Sequence, residues 1–132
     1  MIYQDIILGA CAAVCEDLTS SPDTADYHER AAYLLASFVM QHAAVDADYR
    51  RGKGLPEAAP LACVARIDPE EAFPLSEVFV PLAIDHLAAA LVIDENEEMS
   101  DKFFDRYVNG MIALRKSIPA LQAKVIDKYG LS

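Results

Sequence analysis

Few residues in this chain have the type and spacing to do chemistry. His28, His42 and His86 are its three histidines, and none has Glu or Asp three residues before it, so the Glu-x-x-His pattern of bundle di-iron sites is absent. His42 and Asp46 share a helix face at i, i+4 and could supply two metal ligands, but no spacing nominates a third. His42 is therefore read as a partly buried face residue. Asp85 and His86 interrupt an apolar run. Adjacent helix positions point about 100° apart, so the two cannot form one dyad, and a buried Asp there calls for an Arg or Lys partner from another helix. Cys11 and Cys15 stand one turn apart with Cys63 distant. Zinc would need two more ligands at recognisable spacing, so the cysteines are read as small core residues.

The one basic cluster is Arg50-Arg51-Gly52-Lys53-Gly54. It suits a helix C-terminus, where cations meet the negative end of the dipole. It also suits an interface patch facing an acidic neighbour, such as the Asp94–Glu98 turn of another copy. Phosphate-loop, dinucleotide and nucleophile-elbow signatures are missing. No catalytic, cofactor or metal residue is assigned, and no cofactor is expected. The candidate interface residues are Arg50, Arg51, Lys53, Asp94, Glu95, Glu97 and Glu98.

These residues must be positioned by a chain of 132 residues with 54% hydrophobic residues, no Trp and a formal net charge of −10. Such a chain is too apolar to be disordered and too acidic to present the basic face of a phosphate-backbone binder. The charge is uneven: −7 over residues 1–49, −6 over 50–100 and +3 over 101–132. Acidic and basic regions could fold together or face neighbouring copies. The apolar run Phe79–Ile93 is too short for a membrane span, which needs roughly 20 residues. Met1–Leu18 lacks the basic start of a signal peptide. Three cysteines without framework spacing fit a reducing cytoplasm.

Proline placement divides the chain. Five of its seven prolines fall between residues 56 and 81, leaving three stretches where long helices can run. The expectation is an all-α, single-domain bundle of four to five helices over residues 1–132. An irregular Pro-rich segment near residues 55–75 contains Leu61–Ile67, which reads as a short strand or a single helical turn. A first helix over about 2–18 carries the stripe Tyr3, Ile7, Cys11, Val14, Cys15 and Leu18. Ser21 and Pro22 suit the start of a second helix over 23–50, whose stripe runs Tyr27, Ala31, Leu34, Leu35, Phe38, His42, Val45 and Tyr49, with Gly52 after its end.

A third helix over 77–94, with Ser76 as N-cap, is apolar nearly all round, which marks a central helix. The segment Asp94–Glu98 reads as an acidic turn. A fourth helix over 101–117 has Ser100 as cap, a Met99–Phe104 staple and a face of Phe104, Tyr107, Val108, Met111, Leu114 and Ile118. Pro119 opens a short fifth helix near 119–129, closed by Gly130.

Two stretches carry a family resemblance: Asp26–Pro56 (DYHERAAYLLASFVMQHAAVDADYRRGKGLP) and Phe73–Tyr107 (FPLSEVFVPLAIDHLAAALVIDENEEMSDKFFDRY). Together they resemble small proteins of tailed-phage and prophage structural modules, similar to head–tail connector (neck or adaptor) proteins. The resemblance implies a non-enzymatic assembly role through self-association, as a ring, and through portal or neck contacts. It also implies a place in the host bacterial cytoplasm or the virion. It brings no catalytic residue with it. The other class weighed is a small acidic intracellular regulator that binds a protein partner.

Overall fold

The computed structural model describes residues 1–15 and 24–118. Within them the chain is all-α, with four helices: α1 (Tyr3–Cys15), α2 (Thr24–Lys53), α3 (Phe79–Val92) and α4 (Glu97–Lys116). The expected fifth helix, the Ser21–Pro22 helix start and the end of the first helix at residues 16–18 lie outside the described residues.

α3 is the central helix. Phe79, Leu82, Ala83, Leu87, Ala88, Ala89, Leu91 and Val92 are all buried on it, because α1, α2 and α4 each cover part of its circumference. Each large apolar side chain buried this way stabilises the fold by about 1.5–3 kcal/mol before conformational entropy is counted. α1 contributes Tyr3, Ile6, Ile7, Ala10, Cys11 and Val14 to the same core. From α2 come Tyr27, Ala31, Leu35, Phe38 and His42, all buried on its apolar stripe.

α4 runs antiparallel to α3. The Ser100 hydroxyl donates to the Ala89 carbonyl at 2.8 Å, Arg106 pairs with Asp85, and Gly110 faces Leu82. A Cβ at Gly110 would lie 2.4 Å from Leu82 Cδ2, so the absent side chain sets the close approach of the two helices.

Three helix termini differ from expectation, two because a tertiary partner claims the serine that seemed to be the cap and one because the helix runs on to a later glycine. Ser76 does not cap α3; the capping position is Val78, without a side-chain bond, and Ser76 bonds Asp46 instead. Ser100 does not cap α4; Asn96 does, through Met99 N–H to Asn96 Oδ1 at 3.0 Å. α4 therefore takes in Glu97 and Glu98 as its first turn, and the Met99–Phe104 staple does not form at that helix start. α2 ends one turn later than expected. Gly54, at φ +68°, takes the left-handed position in place of Gly52, and Leu55 N–H returns to the Arg50 carbonyl at 2.8 Å. This six-to-one bond satisfies a carbonyl the helix end would leave bare.

Residues 55–78 cross back over α1 and α2. Leu61–Ile67 forms neither a helical turn nor a strand; the isolated β-bridge joins Ile2 and Ala72 instead. The segment is anchored by buried Ile67, Phe73 and Leu75. Its Glu71 and Pro69 carbonyls accept the Tyr3 and Gln4 N–H groups at 3.0 and 2.9 Å. Two free donors at the start of α1 are thereby satisfied.

Candidate functional site

Three constellations hold the polar residues singled out in the sequence. The first is centred on Asp46, whose relative exposure is 1%. Its Oδ2 accepts from Arg50 Nε at 2.9 Å, and its Oδ1 accepts from both the backbone N–H (3.0 Å) and the hydroxyl of Ser76. Arg50 extends the network by donating to the Pro56 and Pro74 carbonyls, each at 3.2 Å. One ion pair thus ties the last turns of α2 to both ends of the Pro-rich segment. A groove of about 620 Å³ opens beside it, with Met40, Leu55, Leu61 and Leu75 on its walls.

The second joins three helices. His42 Nδ1 lies 2.7 Å from the Phe38 carbonyl, and Nε2 lies 2.6 Å from the Tyr107 hydroxyl. A carbonyl only accepts, so Nδ1 carries the proton and Tyr107 donates to the Nε2 lone pair. The His42 ring stacks on Phe38 with centroids 3.9 Å apart, and His86 from α3 closes the group, 4.8 Å from the Tyr107 ring. The lone pair that would ligate a metal or take a proton from a substrate is spent on the Tyr107 hydroxyl. Among the described residues no group of three or more His, Cys, Asp or Glu side chains is placed to hold a metal ion. Asp85 points elsewhere, 3.7 Å from Arg106 of α4, the inter-helix cation expected for it.

Burial governs the protonation of this cluster. It holds both histidines below the ordinary imidazole range. At His42 the Phe38 carbonyl pushes the other way and Arg115 adds to the lowering; at His86 the neighbouring His42 adds to it. Burial raises the Tyr107 phenol and the Asp85 carboxyl, the latter partly offset by Arg106. The sign for stability follows from linkage. The unfolded chain takes up imidazole protons near pH 6.5, while the folded chain resists until lower pH. The neutral histidines therefore contribute stability above that value, which is lost as pH falls through the folded pKa values. Asp85 titrates with the opposite sign but nearer the carboxylate range. The urea midpoint is expected to fall between pH 7.5 and pH 5.5, and to fall less when His42 and His86 are both replaced by Gln. A midpoint that held or rose over that interval would contradict the arrangement.

The third constellation is one of charge. The N-terminal half of α2 meets the C-terminal end of α3, where the Tyr27 hydroxyl donates to Glu95 and Arg30 reaches the Ala90 carbonyl. The C-terminal half of α2 meets the start of α3 through Asp46 and Ser76. Tyr27 and Arg50 are about 35 Å apart along the helix at 1.5 Å per residue. The Asp94–Glu98 segment and the Arg50–Lys53 segment therefore occupy opposite ends of the bundle. Asp94, Glu95, Glu97 and Glu98 are exposed at one end; Arg51 and Lys53 are exposed at the other, while Arg50 is turned inward. Because α4 runs back along α3, its Arg115 and Lys116 join the basic end.

Cys11 is buried in the core and Cys63 is exposed; the side chain of Cys15 lies outside the described residues. The α4 face departs from expectation. Met111, Leu114 and Ile118 are buried and Tyr107 is half-buried, but Phe104 and Val108 face outward with Ile112, at 42%, 39% and 48% exposure. The Ser76 partner of Asp46 and the Tyr107 partner of His42 lie 30 and 65 residues away in sequence, and no local spacing signals either one. Among the described residues no helix is long and apolar enough to cross a membrane. Compared with protein-family models, curated proteins and solved structures, the chain finds no match.

Proposed function

We propose that the chain is a non-enzymatic structural or assembly protein of the head–tail connector type, working by self-association and by contacts with portal or neck proteins. The observation that carries this is the axial separation of charge: an acidic end around Asp94–Glu98 and a basic end around Arg51 and Lys53. A molecule with opposite poles can place the head of one copy against the tail of the next. Such heterologous contacts generate rings when the rotation closes. The side chains that looked fit for chemistry support the same reading. Asp46, Arg50, His42 and Tyr107 are engaged with one another or with the backbone, and they hold elements together.

The test reverses one pole at a time in the full chain. Arg51→Glu with Lys53→Glu should abolish assembly, as should Asp94→Lys with Glu97→Lys. Mixing the two variants should restore assembly, because the intact poles pair as in the wild type and the two altered poles carry exchanged charges. Assembly that ignored both reversals would contradict the proposal. Capture of DNA-binding proteins instead of virion proteins would favour a regulator that binds a basic partner.

A further inference from the structure

The outward face of α4 has a pattern that the end-to-end contact does not use. Asp101, Phe104, Val108, Ile112 and Arg115 follow one another at intervals of 3, 4, 4 and 3 residues. On a helix this places them in one row along a single face, and all five are exposed. The row begins with an acid, carries three large apolar side chains and ends with a base. Contiguous exposed apolar surface of this kind, rimmed by charge, marks an interaction site.

The order of the row identifies its partner. It is symmetric about Val108: seven residues before it stands Asp101 and seven after it Arg115, and four residues to either side stand Phe104 and Ile112. Two such helices laid antiparallel, with Val108 on the axis, set Asp101 of each copy against Arg115 of the other and Phe104 against Ile112. A two-fold contact must be self-complementary in this sense, residue i meeting j while j meets i. We infer that α4 is a dimerisation helix, pairing antiparallel with α4 of a second copy about a two-fold axis at Val108.

Apart from Arg115, which also lies at the basic end, this contact is separate from the end-to-end one. It needs neither Arg51 nor Lys53, so either can fail without the other. Reversing the poles at Arg51 and Lys53 leaves the α4 dimer in place, and changing Val108 leaves the poles intact.

The experiment follows the monomer–dimer equilibrium of the full chain by sedimentation equilibrium in an Arg51→Glu, Lys53→Glu background that blocks end-to-end assembly. Val108→Glu should weaken the dimer by roughly tenfold or more, since a charge is placed at the centre of the contact. Asp101→Arg and Arg115→Glu should each weaken it, and the two together should restore it, because the swap recreates both pairs across the axis. With Cys63→Ser added to remove the exposed native thiol, Val108→Cys should give a covalent dimer through the introduced thiol when oxidised glutathione accepts the electrons. The same background without that substitution should not. Circular dichroism confirms that each variant is folded. A monomer at every concentration overturns the inference, as does a dimer indifferent to Val108→Glu or a charge swap that fails to restore pairing. An introduced thiol shielded from maleimide in a monomer would assign the face to other residues of the same chain, and would equally overturn it.

Discussion

Replacing Asp46 by Ala is expected to lower the unfolding free energy by about 3–5 kcal/mol, the range for removing one partner of a buried ion pair. Asp46 is almost wholly buried and Arg50 partly so, with side-chain exposures of 1% and 21%. The variant leaves the Arg50 cation with only the Pro56 and Pro74 carbonyls. It also deprives the half-buried Ser76 N–H and hydroxyl of their acceptor, and donors left unpaired away from water cost free energy. Asp46→Asn keeps an oxygen acceptor for Ser76 but sets an amide NH2 against the Arg50 Nε–H, losing the charge and that bond, so it should fall between wild type and Ala. Urea denaturation at pH 7.5 gives the comparison. A loss under about 1 kcal/mol for the Ala variant would mean that this node does not hold the Pro-rich segment onto α2.

Phe38→Ala is the second large effect, at about 3–5 kcal/mol for a truncated core aromatic. Phe38 is buried at the α2–α3 contact, stacked on His42 and within ring-contact distance of His86 and Tyr107. Its removal opens a cavity and lets water approach the imidazole. Because burial is the main cause that holds His42 low, its titration should move up toward the ordinary imidazole value. Two-dimensional NMR of the histidine ring protons reads that shift, and denaturation reads the stability loss. An unchanged His42 titration in a folded Phe38→Ala protein would show that burial is not what holds the imidazole neutral.

The core was legible in the sequence where one period dominated. In α2 a regular stripe stands out, with Tyr33 and Met40 exposed outside it, so Tyr27, Leu35, Phe38 and His42 are assigned to the interior from spacing alone. In α4 the apolar residues Phe103, Phe104, Tyr107, Val108, Met111, Ile112 and Leu114 cover more than half the circumference. Periodicity then has no way to choose which half faces α3, and Phe104 and Val108, expected on the inner face, point outward. Helix ends were hidden for a related reason. Ser76, Ser100 and Gly52 each satisfy local capping rules, but Asp46, the Ala89 carbonyl and the left-handed turn at Gly54 decide the outcome.

The acidic and basic clusters were visible as charge counts. Their separation to opposite ends depends on α2 and α3 being antiparallel, which the Tyr27–Glu95, Arg30–Ala90 and Asp46–Ser76 bonds establish. His42 was legible as a partly buried residue, but its partner Tyr107 lies 65 positions away on another helix.

The proposed function has the chain assemble through its charged poles, on itself and on a portal or neck partner. Sedimentation velocity of the full wild-type chain, alone and mixed with a tailed-phage portal ring, at low and high salt, is the deciding measurement. Assembly through the poles gives species larger than a dimer at low salt, or co-sedimentation with the portal, and dissociation as salt screens the poles. A protein that sediments as a monomer at every salt concentration, with and without portal, would contradict it.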